Sequence, residues 1–219
     1  MKNAVLLFLM SVFYFAGYAQ NIEEQVLELV NFHILKENNI LNANLTSVNQ
    51  AGTNNNMIAI QQNEGTCINQ VYSLQQGQSN ISYIEQTGDA HVTLVNQEGL
   101  ENKANLWSVG SLTYTQVNQN GSYNTINSYI DNQGLLPKAA LLQQEGTNNV
   151  IDFALLGNGC LWDSWPKGAY IKQTGNDLEI TALFDSYQFP IYIEQQSGVN
   201  GGMSVNVSTT TFSFPMKKF

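Results

Sequence analysis

Two histidines, two cysteines and a few scattered carboxylates are the residues of this chain that could do chemistry. His33, His91, Cys67 and Cys160 are all potential ligands, but no spacing among them fits a zinc site, which needs closely paired Cys or His. His91 stands where other segments of the chain repeat an Asn, so it reads as a structural substitute for an amide. Glu85, Asp89, Glu98 and Glu101 fall at outward or turn positions of the pattern described below. A hydrolase would need two carboxylates converging in a cleft, and nothing in the spacing brings them together. No glycine loop precedes a helical pattern, so a phosphate cradle has no basis. The expectation is a chain that is not an enzyme, with no cofactor, metal or small-molecule substrate. The Trp162-Asp163-Ser164-Trp165-Pro166 stretch carries surplus aromatics. It reads as a loop folding back over the molecule's side, with carbohydrate or partner contact as the alternative.

Composition narrows the classes further. Charged residues are 11% of the chain against about 25% in ordinary globular proteins, and Asn, Gln, Ser, Thr and Gly replace them. Apolar residues still make up 43% and are evenly spread, enough for a packed core. The net charge is −9 and no Arg is present, which excludes a nucleic-acid partner that needs a basic face.

What must position these residues is a repeat. Gln75-x-Gly77-x-x-Asn80 leads to Ser82, Ile84 and Gln86, and Gln86-x-Gly88-x-x-His91 leads to Thr93, Val95 and Gln97. Gln97-x-Gly99-x-x-Asn102, Ser108-x-Gly110-x-x-Thr113 and Gln119-x-Gly121-x-x-Asn124 continue at an unbroken 11-residue step. Gln50-x-Gly52-x-x-Asn55 and Gln144-x-Gly146-x-x-Asn149 are clean copies outside this block. Asn63-x-Gly65 and Asn132-x-Gly134 are weak ones, while Gln173-x-Gly175 and Gln196-x-Gly198 place Leu178 and Gly201 where Asn would fall.

The spacing has a physical reading. From Asn to the next Gln the pattern alternates, as in Asn80, Ser82, Ile84 and Gln86, which is a strand with one face inward. From Gln to Asn, a Gly two positions in marks a turn with positive φ. Two units make a coil of about 22 residues, and stacking such coils at about 4.8 Å pairs every backbone group. The expected fold is all-β, a parallel β-solenoid (β-helix) of about seven strand-turn-strand coils. Like residues eleven or twenty-two apart are expected to lie over one another, their amides bonded into ladders. A buried Gln or Asn is costly unless paired, and a ladder pairs it. Cys67 and Cys160 then fall roughly four coils, about 20 Å, apart, beyond the ~7 Å reach of a disulfide, so no intramolecular bridge is expected.

At the start, Lys2, the apolar run Ala4 to Ala16 and Gly17-Tyr18-Ala19 form a signal peptide, 1–19, cleaved before Gln20. The apolar run, roughly 13 residues, is short of the ~20 a spanning helix requires. Residues 20–44 are expected to be a leader or cap, 45–210 the repeat region with an insertion at 157–168, and 211–219 a tail.

Repeats of the form Gln-x-Gly-x-x-Asn-x5-Gln resemble curlin repeats, the units of curli fibre subunits. The resemblance is carried best by Asn80 to Gln97 and Gln119 to Ile130, and covers roughly residues 45 to 210. It implies a curlin-like solenoid exported through periplasm and outer membrane to an extracellular, cell-surface amyloid fibre, with roles in adhesion and biofilm matrix. The implied partners are copies of itself, other curlin-type subunits and an outer-membrane export machinery. The chain departs from the pattern in its C-terminal units, which lose Asn, and in the interruption near Trp162. That irregularity leans toward a minor or nucleating subunit rather than the bulk component. The alternatives are a passive secreted solenoid adhesin binding polysaccharide or ice, and a polysaccharide-active β-helix enzyme. Outward positions Ile81, Tyr83 and Glu85 are too mixed for an ice-binding Thr array.

Overall fold

Strict alternation of buried and outward residues drives each segment into a strand, because one face of every strand meets the opposite sheet and the other does not. A computed structural model describes residues 44–63, 65, 67–131, 138–156, 167–184, 191–197 and 202–209. They form fourteen strands: β1 (Leu45–Thr53), β2 (Asn56–Asn63), β3 (Gln70–Gln78), β4 (Ile81–Gly88), β5 (Val92–Leu100), β6 (Lys103–Ser108), β7 (Thr113–Ser122), β8 (Thr125–Asn127), β9 (Lys138–Thr147), β10 (Val150–Asp152), β11 (Lys167–Asn176), β12 (Leu178–Phe184), β13 (Ile191–Gln196) and β14 (Met203–Thr209). Odd strands make one seven-stranded sheet and even strands another, each in sequential order. Every pairing is parallel and in register, as in Gln50↔Gln75 and Gln75↔Gln97. The described residues form a β-solenoid of seven coils, one odd and one even strand to each.

The two sheets face each other across a thin core. One inner column of the odd sheet runs Ser73, Val95, Val117, Leu142, Ile171. The even sheet answers with Met57, Ser82, Ala104, Ile126, Ile151, Ile180 and Val205. Small residues occupy the early coils, where Ser73 and Ser82 lie oxygen to oxygen at 3.5 Å. Large ones fill the later coils, where Phe153 meets Phe184 edge-on with centroids 5.7 Å apart.

One correction to the repeat concerns which residues overlie one another. Residues 22 apart stack, as Gln75 on Gln97 does, but residues 11 apart belong to opposite sheets: Gln75 lies in β3 and Gln86 in β4. The solenoid therefore has two unlike edges. The edge turning from odd to even strands carries Gln50, Gln75, Gln97, Gln119, Gln144 and Gln173. Steps along this column are 25, 22, 22, 25 and 29 residues. Each excess over 22 falls in the connection at the other edge, between β2 and β3, β8 and β9, or β10 and β11.

The conserved geometry of the regular edge comes from two positive-φ positions per turn. One is the glycine, with φ between 107° and 133° at Gly52, Gly77, Gly99, Gly121, Gly146 and Gly175. The other, one residue before the Asn position, is held left-handed at φ 53–59° by Asn54, Ser79, Glu101, Tyr123, Asn148 and Asp177. Asn54, Asn148 and Asp177 suit this region, whereas Ser79, Glu101 and Tyr123 carry side chains that disfavour it, at roughly 1–2 kcal/mol each. Stacking sets a second demand on the glycines. A Cβ on Gly99 would lie 1.9 Å from the carbonyl oxygen of Gly121. Gly99→Ala therefore combines backbone strain with a backbone clash, and is expected to destabilise the fold by about 3 kcal/mol or more. Urea unfolding followed by circular dichroism checks it; a loss under 1 kcal/mol would show that the coils can move apart at that turn.

Candidate functional site: the amide ladders

The chemistry-bearing column of this molecule is a line of seven glutamines. Gln50 Nε2 donates to Gln75 Oε1 (2.5 Å), Gln75 to Gln97 (2.7 Å) and Gln97 to Gln119 (2.8 Å). Gln119 donates to Gln144 (2.9 Å), Gln144 to Gln173 (2.9 Å) and Gln173 to Gln195 (3.0 Å). Every bond runs the same way, from the coil nearer the N-terminus to the next. The second amide hydrogen goes to a backbone carbonyl of the facing strand, as Gln97 to Ile81 at 3.0 Å and Gln119 to Lys103 at 2.9 Å. Gln75, Gln97, Gln144 and Gln173 are wholly buried, and these bonds are what make their burial affordable.

Five residues along, the asparagines form a second ladder. Asn80 Nδ2 lies 3.2 Å from Asn55 Oδ1, Asn102 Nδ2 3.1 Å from Asn80 Oδ1, and Asn124 Nδ2 3.1 Å from Asn102 Oδ1. Each Oδ1 also accepts the backbone N–H of the following coil's Asn, as Asn149 N to Asn124 Oδ1 at 3.1 Å. Each Nδ2 reaches forward to a glycine carbonyl: Asn80 to Gly99 at 3.0 Å, Asn102 to Gly121 at 2.9 Å, Asn149 to Gly175 at 2.8 Å. Glycine and asparagine are thus one device. The missing side chain lets the coils approach, and the carbonyl so exposed takes the amide hydrogen.

At the other edge the ladders are short. Gln86 accepts from Gln61 at 2.9 Å but faces Ser108 in the next coil, and turns its Nε2 to Thr93 Oγ1 at 2.9 Å instead. His91 takes the Asn position there, and is fully buried. Its backbone N–H donates to Asn69 Oδ1 at 3.0 Å. Its Nε2 lies 2.7 Å from Thr87 O and 3.0 Å from Gly110 O, and its Nδ1 2.6 Å from Thr113 Oγ1. Two carbonyls around Nε2 fix the proton on that nitrogen, leaving Nδ1 to accept the Thr113 hydroxyl. The neutral ring satisfies every partner. Gly88 packs its turn against Gly110, whose oxygen would lie 1.6 Å from a Cβ there.

The last coil departs from the sequence reading. Gln196 is exposed and faces outward; the buried member of the column is its neighbour Gln195. The Q-x-G motif at 196 counted the wrong glutamine of a Gln-Gln pair, and the inward alternation of Ile193 and Gln195 is the signal that identifies the right one. Gly198 lies outside the described residues. So do Cys160, Trp162, Trp165, His33, the signal peptide 1–19 and the segment up to residue 43, as well as the tail 211–219. Cys67 is buried, with its N–H donating to Asp89 Oδ1 at 2.6 Å. Glu98 and Glu101 are exposed, and Glu85 accepts from the Tyr83 hydroxyl at 3.0 Å on the outer face of β4. These carboxylates do not converge on one site. No family model, curated protein or solved structure matches the chain.

Two expectations follow from the ladder geometry. Gln97→Leu strands the Gln75 donor and the Gln119 acceptor in a dry core, and is expected to cost about 2–5 kcal/mol. Urea unfolding with an unchanged m-value checks this; a near-neutral result would mean the amides find water. His91 supplies the second. Burial, outweighing the carbonyl contacts and nearby Asp89, pulls its pKa below the usual 6.5. The folded state therefore holds fewer protons than the unfolded chain, and stability is full above about pH 6.5 and lost as pH falls toward the lowered folded pKa. His91→Asn is expected to flatten the fall in urea midpoint between pH 7.5 and pH 5; parallel profiles for both proteins would rule the histidine out.

Proposed function

We propose that this chain is a secreted structural subunit of a curli-like extracellular fibre, working by stacking rather than by catalysis. One observation carries the reading: seven coils are zipped by a single unidirectional Gln ladder that reaches the first coil, where the Oε1 of Gln50 has no donor among the described residues. A stack built of identical joints extends by adding another such joint. The curlin-like spacing of the repeats and the export signal read at 1–19 support the same conclusion, with the export machinery of the outer membrane and other curlin-type subunits as partners. Adhesion and a role in biofilm matrix follow from that placement. The broken even edge supports a minor or nucleating subunit over the bulk component.

A second reading rests on a different observation. On the outer face of the even sheet Trp107 is exposed and lies 5.0 Å from Tyr129, ring centroid to centroid. Beside it, Asn105 donates to Asn127 at 3.1 Å and Asn127 to Asp152 at 2.8 Å. Rings flanked by amides are the makings of a polysaccharide-binding face, which an adhesin would use.

To test the fibre reading, mature chain (residues 20–219) is incubated at micromolar concentration with an array of tandem copies of residues 75–96. It is expected to enter thioflavin-binding fibres with a meridional reflection near 4.8 Å. Array fibres that leave this chain monomeric in the supernatant would overturn the proposal.

A further inference from the structure

The two ends of the stack are chemically unlike. Along the Gln column each Oε1 accepts from the preceding coil, so the Oε1 of Gln50 is the one ladder acceptor with no donor among the described residues. The same holds for the asparagines. Inside the stack, Asn80 N–H donates to Asn55 Oδ1 and Gly77 O accepts from Asn55 Nδ2, at 3.0 and 3.2 Å. The corresponding groups of the first coil, Asn55 N–H and Gly52 O, have no such partner among the described residues.

The far end is closed. Gln195 Nε2 has no further Gln to meet and donates to Met203 O at 2.6 Å. The Asn column stops at Asn149, whose Oδ1 accepts the N–H of Leu178 at 3.1 Å, and Met203 pairs with Leu178 above that. The glycine column stops at Gly175, which meets Ser197 instead of another glycine. The last coil therefore offers no Gln-x-Gly-x-x-Asn turn to a following chain.

Charge points the same way. Proteins protect open strand edges with charged side chains. In this chain of net charge −9, the first coil from Leu45 to Asn63 holds no Asp, Glu or Lys. It also exposes Leu45, Val48, Ile58 and Ile60, each between 44% and 48%. Val48 lies in the inward column that becomes Ser73 and Val95 in the next coils, the place that a further coil would cover. The last coil, by contrast, carries Glu194.

We infer that the first coil is the sole ladder-competent end of this protein, and that its partner is another chain whose last coil keeps a Gln-x-Gly-x-x-Asn turn. That turn supplies the Gln Nε2, Asn Oδ1 and Asn Nδ2 that Gln50, Asn55 and Gly52 await. A second copy of this chain does not fit, because in its own last coil Ser197 stands against the glycine column and Met203 is paired with Leu178 in the asparagine column. The protein thus ends or seeds a fibre of a more regular subunit, contacting it through β1 and β2. This inference rests on the fibre reading above and adds the end, the polarity and the type of partner.

The test uses full mature chain and the tandem array of residues 75–96, whose last coil presents the required turn. Trace amounts of wild-type chain are expected to shorten the array's lag at least tenfold, while the chain alone elongates at less than a tenth of the mixed rate. Val48→Lys places an ammonium on the open end, where the folded monomer tolerates it, and is expected to abolish seeding. Gln50→Leu removes the open acceptor and is expected to slow seeding at least threefold. Val207→Lys, in the last coil, is expected to leave seeding within twofold of wild type; circular dichroism confirms that each variant is folded. Seeding lost with Val207→Lys but kept with Val48→Lys, or equal in both, overturns the end assignment. Rapid elongation by the chain alone overturns the choice of partner while leaving the fibre reading intact. No co-assembly by wild type overturns the fibre reading and this inference with it.

Discussion

The hydrogen bond from one glutamine amide to the next fixes the architecture of this protein. It requires the same side chain at the same height in successive coils, at bond lengths of 2.5–3.0 Å over six joints. Such a bond holds only when the backbones are in register, so it sets strand pairing, coil length at the regular edge and the position of each turn. The asparagine ladder enforces the same register five residues away and couples it to the glycine. An apolar core alone would be less exacting. Val on Val or Val on Leu tolerates a shifted partner, whereas a slipped amide column leaves a buried donor and acceptor unmade at about 1–3 kcal/mol each. The polar residues thus specify the stack, and the apolar ones between them supply most of its cohesion.

The division of labour between the two edges follows from that constraint. Where the ladder is continuous, the turn between Gln and Asn keeps one length from Gln50 to Leu178. Insertions are absorbed at the opposite edge, where Gln86 meets Ser108 and the Asn position passes through Asn69, His91 and Thr113. There each coil is satisfied by a local arrangement: a hydroxyl for Gln86, two carbonyls and a hydroxyl for His91. A connection that does not have to repeat can lengthen freely, since loop closure costs little per added residue. Only in the last coil does the regular edge also break, between Gln195 and Met203; the Gln ladder ends there, whereas the Asn ladder has already ended at Asn149.

The spacing of Gln, Gly and Asn made the solenoid and the alternation of its strands legible, because a period of two and a period of eleven leave no helical solution. Three things were not legible. The opposition of successive 11-residue units, Gln75 on one sheet and Gln86 on the other, depends on how a coil closes and not on the motif. The left-handed residue before each Asn is invisible because Glu101 and Tyr123 are chemically wrong for it; stacking imposes the conformation that composition disfavours. Gln195 was hidden by its neighbour, since the motif with Gly198 points to Gln196 while the inward face of β13 selects Gln195. In each case the tertiary stack outweighed a local preference.

Sparse charge is part of the same design. A fully buried column of amides is compatible with stacking in either the folded chain or a fibre, so something must keep chains from joining indiscriminately. Here the net charge of −9 makes copies repel at long range, with a reach of about 8–10 Å at physiological salt. Its distribution is uneven: Asp89, Glu98, Glu101, Asp152 and Glu179 border later coils, while the first coil is neutral. Repulsion is therefore weakest where the ladder is open and present where it is closed. Approach to the last coil meets Glu194 and a glutamine amide already satisfied by Met203 O, whereas approach to the first coil meets no charge between Leu45 and Asn63 and a Gln50 acceptor with no donor among the described residues.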